Sequence, residues 1–467
     1  MRYIIEASLF HGSLLNRTVI IPSFVYARAC EYPNAVCAAY FPMVNRGDAV
    51  DSDEWRKLPE EQQMGWRVPM STMINITHLR RTQPFLLVSE YLLLHNLSAD
   101  LEAKKYHQNP SVFDSGARGP PSLKDMKRRG DWNVSKGEYG TWNKKEKTDI
   151  YLNLQSALPK KGRQNVLGWD QARSILQNHG IVGISSDEGF EMKLRDNGWE
   201  VLYTYDGAIG MDFVKNVVNP IRQVAPRDSI RGYVEDYRRF DADVLLLKGE
   251  IHFERKPAGL RFTTTDSRDN FSRLVLFEIH PIDSVKRLSA AMDKAMTERN
   301  GGRMWMGAHM RRGDFVLYNW TMQAELGDHF QRIKTSLEYG RGVLCSMRNI
   351  GTLSPYDVPN VTVDRNQLQR EVPDANDKIY LATDERDPGN LAYLSDHGAI
   401  MASDLITLED RRQFGWPLLL TDVLGLVEQD LLARSSYFYA HAMSSFAGGV
   451  INVRAANGAD PRTAKID

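Results

Sequence analysis

The sequence predicts an α/β fold in which two halves, each built on a parallel sheet, meet at a cleft. Short apolar stretches typical of buried strands alternate with helical stretches along most of the 467 residues. After Asn300-Gly301-Gly302, which stops a helical stretch, a second series of the same kind begins. Helices between successive short strands indicate parallel sheets that are covered by helices on both faces.

In the N-terminal half, a helix is followed by separated strands. Met1, Ile4, Ile5 and Leu9 follow helical spacing. Strands are predicted at Val19–Pro22, Ile181–Ile184, Val201–Tyr203 and Val244–Leu247. The polar stretch between residues 104 and 148 has an excess of basic residues, is rich in glycine and proline, and lacks apolar periodicity. It is therefore predicted to be a surface insertion.

The C-terminal half begins near a helical stripe of Val285, Leu288, Met292 and Met296. We expect its strands at Met304–Ala308, Lys378–Ala382 and Ala399–Met401, and an apolar helix over Trp416–Ala433. These features predict one domain at residues 1–285 and a second at residues 286–467.

Composition is that of an ordinary globular protein. Hydrophobic residues make up 42% and charged residues 25%. Lys plus Arg equals Asp plus Glu at 59 each, so net charge gives no support for binding nucleic acid or a membrane surface. The sequence contains no run of about 18 apolar residues, which a transmembrane helix would need. It also has no signal peptide at its start.

Cysteines and sequons bear on the compartment. Cys30 and Cys37 are close enough in sequence to pair in an oxidising compartment, and free buried thiols are the alternative. The number of Asn-x-Ser/Thr sequons favours a glycosylated, lumenal protein. They stand at Asn16, Asn75, Asn96, Asn133, Asn270, Asn319 and Asn360.

The first chemical motif, His309 to Phe315, follows a predicted strand and reads His-Met-Arg-Arg-Gly-Asp-Phe. The carboxyl ends of parallel strands form ligand sites, and guanidinium groups bind phosphate oxygens in a bidentate manner. The motif therefore favours a diphosphate site at Arg311 and Arg312. Asp314 can hold an arginine or meet a sugar or ribose hydroxyl. A surface network of Arg and Asp at a strand end is the alternative.

Two further motifs also follow apolar stretches. Thr383 and Asp384 end the second strand, where Asp384 can accept from the N–H edge of guanine or simply cap a helix. Ser444 and Ser445 begin a helix after the apolar residues Tyr437–Tyr439. There they can form an anion site with the free N–H groups of the helix, or act only as N-caps.

The order and spacing of these three motifs resemble the C-terminal half of the GDP-fucose protein O-fucosyltransferases and their fungal relatives. In that family a His-x-Arg motif follows a strand, and Thr-Asp and Ser-Phe elements come later. The passage Leu14–Pro22 resembles the family's first helix-to-strand connection, whereas residues 100–240 carry no part of the resemblance. The resemblance implies a GT-B fold: two Rossmann-like domains facing a cleft, with the donor bound mainly by the C-terminal one.

When the roles of the family's motif residues are transferred to the matching positions here, the resemblance implies that Arg311 is catalytic. It would bind the donor β-phosphate and stabilise the departing GDP. His309 and Asp314 would contact the ribose or shape the loop. Asp384 would read the guanine. Arg312 matches only some relatives, and we include it among the substrate-binding residues.

Ser444, Ser445 and Phe446 would hold the phosphates and pack the base by the same resemblance. Family members invert at the anomeric carbon without a bound metal, and arginine with helix N–H groups can replace a cation at a diphosphate leaving group. We expect no metal and no cofactor other than GDP-fucose itself, the donor substrate. Asp241-Ala242-Asp243 has a metal-binding form but is interpreted as a turn before a strand.

The expected function is therefore inverting, metal-independent transfer of fucose from GDP-fucose to a hydroxyl, on a protein. The alternatives are the same transfer to a glycan, and a non-catalytic secreted protein that binds a nucleotide sugar. We expect the ER or Golgi lumen as the location, with no nucleic acid partner. A membrane anchor is expected only if it lies upstream. The basic stretch His78-Leu79-Arg80-Arg81 either faces the cleft from the N-terminal half or has a purely structural role.

The start of the chain carries a further expectation. Met1 lies inside the first helix, without an N-cap or a preceding strand. In the resembling family, a strand and a Gly-rich turn stand before this helix, and in some members that turn supplies the catalytic base. We therefore expect a truncated product or gene model that binds GDP weakly and transfers little or no fucose.

Overall fold

The structure is a computed structural model that describes residues 2–45, 63–103, 148–159, 166–206, 216–230, 234, 237, 240–245, 260–317 and 319–467. Contacts divide the chain into two compact units. The first unit comprises Met1–Val19, Ser111–Ile209 and Val217–Val275, and the second comprises Ile20–Pro110, Gly210–Asn216 and Leu276–Asp467. The domain boundary expected at residues 285 and 286 stays a prediction. The predicted basic insertion lies outside the described residues, except for Thr148 at its end.

Helices and strands of the first 300 residues are as follows. The helices are α1 (Arg2–Leu15), α2 (Asn34–Ala38), α3 (Ile76–Leu79), α4 (Val88–Leu94), α5 (Asp149–Ser156), α6 (Trp169–Asn178), α7 (Asp187–Asp196), α8 (Thr265–Arg273) and α9 (Asp283–Arg299). The strands are β1 (Val19–Ile21), β2 (Phe24–Ala27), β3 (Met43–Asn45), β4 (Met64–Pro69), β5 (Phe85–Leu87), β6 (Leu167–Gly168), β7 (Trp199–Tyr205) and β8 (Pro220–Pro226).

The remaining elements form a second series. The strands are β9 (Met306–Met310), β10 (Ile379–Thr383), β11 (Ala399–Ile400), β12 (Tyr437–Ala440) and β13 (Ala464–Ile466). The helices are α10 (Gly313–Leu317), α11 (Leu326–Ile350), α12 (Pro388–Asp396), α13 (Ala402–Leu405), α14 (Leu408–Phe414), α15 (Thr421–Arg434) and α16 (Ser445–Ala456). The apolar stretch expected as one helix begins as a 3₁₀ turn at Trp416–Leu419 before α15.

The first unit is built around an antiparallel sheet in the order β6-β8-β7. All seven residues of β7 are buried, and the predicted strand at Val201–Tyr203 lies within it. Helix α1 forms as its spacing predicts and buries Phe10 against Phe271, with ring centroids 5.0 Å apart. The prediction of a parallel sheet is wrong for this part of the chain, because β8 returns antiparallel to both of its neighbours.

One predicted strand of the first unit does not form, and only the beginning of another lies in the described residues. Residues 181–184 are irregular: Gly183 has a φ of +82°, and Val182 is 81% exposed although Ile184 is buried. Val244 and Leu245 are also irregular, and the rest of that predicted strand lies outside the described residues. Short apolar runs alone do not distinguish strands from loops.

The second unit contains a five-stranded parallel sheet in the order β11-β10-β9-β12-β13. Alternate residues of β9 (Met306, Ala308 and Met310) enter a core that includes Phe330 and Ile333 of α11. Helices α9 and α15 pack against each other, as do α15 and α16. The α/β fold class is confirmed. How the two halves face each other stays a prediction.

The chain between β1 and α4 belongs largely to the second unit. Strands β2, β4 and β3 form an antiparallel sheet, and β1 pairs with β5. Cys30 and Cys37 form a disulfide, which decides between the two alternatives left by the sequence. The disulfide loop lies against the end of the 3₁₀ turn, where Glu31 N–H donates to Leu419 O at 2.8 Å. No described helix is long and apolar enough to span a membrane.

Candidate functional site

Strand order brings the three sequence motifs to one edge of the parallel sheet. Strand β9 lies between β10 and β12, with Thr383 opposite Met310 and Ala440 opposite His309. The carboxyl ends of the three strands therefore stand at the same level. From one edge of the sheet to the other the strands are β11, β10, β9, β12 and β13. The chain therefore winds outward in one direction from β9 to β11 and in the opposite direction from β12 to β13, and the direction of winding reverses between β9 and β12. Such a switch point is where open α/β sheets bind ligands.

Arg311 stands directly after β9 and faces the turn after β10. Its Nη1 donates to Asp384 Oδ2 at 2.5 Å, and its guanidinium carbon lies 5.2 Å from the centroid of the Phe315 ring. Side-chain exposures are 29% for Arg311 and 26% for Asp384, so the pair can be reached from solvent. A guanidinium that is oriented by a carboxylate yet accessible is suited to bind an incoming anion bidentately.

Asp384 also fixes the turn that presents Arg311. Its Oδ1 accepts from the Arg312 N–H at 2.7 Å. A Cβ on Gly313 would overlap the Asp384 carboxylate, so this glycine is required for the close approach of the two loops. Asp384 is thus an orienting residue in this arrangement. Its predicted contact with guanine stays a prediction.

Arg312 points into the protein instead of outward. It is 7% exposed, donates to Ala324 O at 3.0 Å, and has its Nε 3.3 Å from Glu385 Oε2. Burial acts to raise the pKa of Glu385, but the N–H groups of Asp387 and Arg386 and the Asn390 amide outweigh burial, so this pKa lies below its ordinary value. Arg312 and Glu385 therefore join the loops after β9 and β10 as a charged pair.

His309 and Phe446 stack across the switch point. Their ring centroids are 4.3 Å apart, with an angle of 21° between the planes. Burial, together with the charge of Arg311 and the neighbouring His329 and His441, lowers the pKa of His309 to about 3. His309 is therefore a neutral ring at physiological pH, and it supports Phe446 in the first turn of α16.

The serines occupy the start of α16, as predicted. Ser444 is the N-cap residue and is buried, but its side chain makes no capping hydrogen bond. Ser445 is exposed in the first turn. The alternative in which Ser444 acts as a side-chain N-cap is therefore wrong. Helix α16 runs for 12 residues, and its first N–H groups carry the positive end of the helix dipole at the switch point.

Two histidines that the motifs did not include lie beside the site. The His441 ring stands between two carbonyl oxygens, 3.1 Å from Asp467 O and 3.0 Å from Trp320 O. Burial lowers the pKa of His329 to about 4, and the charge of Arg312 contributes. Single histidines carry no spacing signal, so only the fold could reveal this placement.

Buried nitrogen atoms without hydrogen-bond partners collect around these side chains. Among the described residues they include His309 Nδ1, His329 Nδ1 and Arg312 Nη1. Buried polar atoms of this kind are usually satisfied by water or a ligand. Asp314 begins α10 with Gly313, but its side chain lies outside the described part of the chain. The other predicted site residues are all brought to this edge of the sheet.

The other motifs considered from the sequence lie elsewhere. Asp241 and Asp243 lie in an irregular segment of the first unit, where Arg17 donates to Ala242 O at 2.8 Å and to Phe240 O at 2.9 Å. The described residues contain no group of three His, Cys, Asp or Glu side chains that could hold a metal. His78 Nε2 lies 3.1 Å from Phe277 O.

Comparisons with known proteins find only distant structural likeness. No family model and no curated protein matches the sequence. A crystal structure of POFUT1 in complex with GDP-fucose is similar over 99% of this chain and 92% of that chain, with 11% identity and a TM-score of 0.34. A complex of POFUT1 with GDP is similar over 99% and 93%, with 10% identity and a TM-score of 0.32.

Proposed function

We propose that this chain is a glycosyltransferase that binds GDP-fucose and transfers fucose to a hydroxyl group of a protein, with inversion and without a metal. The observation that carries the proposal is the meeting of Arg311, Asp384 and the start of α16 at the switch point of the parallel sheet. Each motif alone has a purely structural explanation. Together they concentrate positive charge at the carboxyl edge of the parallel sheet, where open α/β sheets bind ligands.

Arg311 acts on the leaving group in this proposal. The bond from the anomeric carbon of fucose to the β-phosphate oxygen breaks, and the acceptor hydroxyl oxygen forms the new bond from the opposite face while its proton passes to solvent. Negative charge then develops on the departing diphosphate, where the Arg311 guanidinium stabilises it. Asp384 holds that guanidinium before the donor arrives, so less conformational entropy is lost on binding.

The switch-point helix supplies the second positive group. Helix N–H groups and the hydroxyls of Ser444 and Ser445 face the diphosphate, in the manner of other helix N-terminal anion sites. Phe446, stacked on neutral His309, offers an apolar surface against which the base can pack. No step in this scheme needs a metal ion, because the positive charge is supplied by Arg311 and by the partial positive charge at the N-terminus of α16.

The lumen of the secretory pathway is the proposed location. Two features support it: the disulfide between Cys30 and Cys37, which is typical of oxidising compartments, and the seven sequons. Both are independent of the donor site, so location and chemistry can be tested separately.

Calorimetric titration with GDP, UDP and CMP tests the donor assignment. GDP is expected to bind, and UDP and CMP to bind more weakly or not at all. Equal binding of all three, or of none, would contradict the assignment. Incubation with GDP-fucose then separates an enzyme from a binding protein. Release of GDP that depends on an added protein acceptor supports transfer, whereas binding without release with any acceptor favours a non-catalytic binder.

A further inference from the structure

Four sequon asparagines share an unusual backbone conformation. Asn16, Asn96, Asn319 and Asn360 have φ values of 51°, 58°, 54° and 64°, and all four are exposed. In the described part of the chain, five residues other than glycine have a positive φ, and four of them are these sequon asparagines. Asparagine tolerates the left-handed region better than other side chains, because its short polar group avoids the steric cost.

These residues lie where the chain turns out of a helix or loop. Asn16 N–H donates to Ser13 O at 3.2 Å and Asn96 N–H donates to Leu93 O at 3.0 Å, which is the geometry of a helix ending in a left-handed residue. None of the four side-chain amides has a hydrogen-bond partner among the described residues. The hydroxyl residues that complete the sequons are exposed or half-buried: Thr18, Ser98, Thr321 and Thr362.

Of two other sequons, one begins at the N-cap of a helix and one lies within a helix. Asn75 is the N-cap of α3: its side-chain oxygen accepts from the His78 N–H at 2.9 Å, and its residue is half-buried. Asn270 lies within α8, and the hydroxyl of its sequon partner Ser272 is buried and donates to Val217 O at 3.2 Å. Asn133 lies outside the described residues.

We propose that Asn16, Asn96, Asn319 and Asn360 carry N-linked glycans in the folded protein, whereas Asn75 and Asn270 do not. The inference rests on the lumenal location proposed above. In the modification, the amide nitrogen of asparagine bonds to the anomeric carbon of an oligosaccharide carried on a lipid diphosphate. The lipid diphosphate leaves with the bonding electron pair, and the proton lost by the amide passes to solvent.

The physical basis is access. A glycan is bulky and needs an asparagine whose amide projects into solvent, with the hydroxyl two residues later also within reach. The four turn asparagines satisfy both conditions. At Asn75 the side-chain oxygen accepts the capping hydrogen bond, so the side chain is fixed at the start of α3 and the next two sequon residues are helical. At Asn270 the sequon hydroxyl of Ser272 is sequestered in the first unit.

The experiment uses the protein purified from the cells that make it. N-glycans are released enzymatically in heavy-oxygen water, which converts each formerly glycosylated asparagine to labelled aspartate, and the peptides are mapped by mass spectrometry. Label is expected at Asn16, Asn96, Asn319 and Asn360 in most molecules and at neither helical sequon. Label at Asn75 or Asn270 in most molecules, or its absence from the four turn sites, would overturn the proposal.

Matched variants and a binding measurement keep this result distinct from the donor site. Thr18→Val and Thr362→Val should each remove one glycan mass, whereas Thr77→Val, which destroys the Asn75 sequon, should leave the mass of the glycans unchanged. GDP titration is run on the same sample. A protein that binds GDP but is unmodified overturns only the glycosylation proposal, and a modified protein that does not bind GDP overturns only the donor site.

Discussion

The antiparallel sheet of the first unit and the parallel sheet of the second both carry arginine–carboxylate pairs, but they use them differently. In the first unit, Asp187 contacts Arg173 and Arg222, and the Arg222 guanidinium lies 4.1 Å from the centroid of the Trp169 ring. Successive antiparallel strands reverse direction, so their carboxyl ends fall on opposite edges. Such pairs therefore brace a helix against a sheet and do not assemble a common site.

The parallel sheet collects the same chemistry in one place. Because β10, β9 and β12 run in the same direction, the residues that follow each of them meet at a single edge. Arg311 with Asp384, and Arg312 with Glu385, both lie there. Strand direction, more than the number of charged residues, thus decides which region can form a binding site.

The largest expected effect is on stability in the first unit. Phe190 is fully buried, and its ring centroid lies 4.6 Å from that of Trp169. Phe190→Ala should lower the free energy of unfolding by about 3–5 kcal/mol, because the lost packing leaves a cavity. GDP affinity, measured at a temperature where the variant is still folded, should not change. Loss of GDP binding by the folded variant would contradict the division of roles between the two sheets.

Arg311→Ala should reduce the rate of fucose transfer on the order of 10²–10³, since one charge-assisted contact to the leaving diphosphate is lost. GDP affinity should fall as well, which gives a second readout by calorimetry. Arg311→Lys should not rescue either quantity, because lysine lacks the planar fork. Arg222→Ala, which breaks an arginine–aspartate pair of the first unit, is the matched control and should leave both unchanged. Near-normal transfer by a folded Arg311→Ala protein would show that the donor site lies elsewhere.

A smaller effect is expected from the pH dependence of stability. Burial raises the pKa of Glu428 from 4.5 to about 7; the Tyr380 hydroxyl, which donates at 2.8 Å, acts in the opposite direction, and the charge of Glu31 raises it. A carboxyl group with a raised folded-state pKa contributes stability that is fully present below pH 4.5 and is lost as pH rises through 7.

Because Glu428 is only partly buried by area, solvent screening limits the loss to about 2 kcal/mol. Denaturant unfolding at a series of pH values measures it. Glu428→Gln, which mimics the protonated form, should remove this part of the pH dependence. An unchanged slope in that variant would mean that other groups cause it.

The smallest expected effect is at α3. Asn75→Ala should lower the free energy of unfolding by about 1 kcal/mol, because the hydrogen bond from the His78 N–H to the Asn75 side-chain oxygen is lost. Asn75→Asp removes the sequon but keeps the capping oxygen, so it should retain the stability of the original chain. Equal destabilisation by both changes in thermal unfolding would show that the cap is not the cause.

Much of the candidate site could be predicted from local sequence signals. Arg311, Asp384 and Ser445 each follow an apolar stretch. A polar residue at the end of a predicted buried strand can be identified from the sequence alone. Glu385 directly follows Asp384 in the sequence, yet its pairing with Arg312 depends on two loops that are far apart in the chain. His329 and His441 had no local signal, because single histidines are uninformative until their neighbours are known.

The sequence by itself determined the α/β class, the strands that became β1, β7, β9, β10 and β11, and the residue types at their ends. These depend on apolar periodicity and on residues close together in the chain. Tertiary structure alone decided the strand order, the antiparallel direction of β8, the Cys30–Cys37 pairing and the inward direction of Arg312. The physical reason is that strand pairing and burial depend on contacts between distant segments, whose energies no local pattern contains.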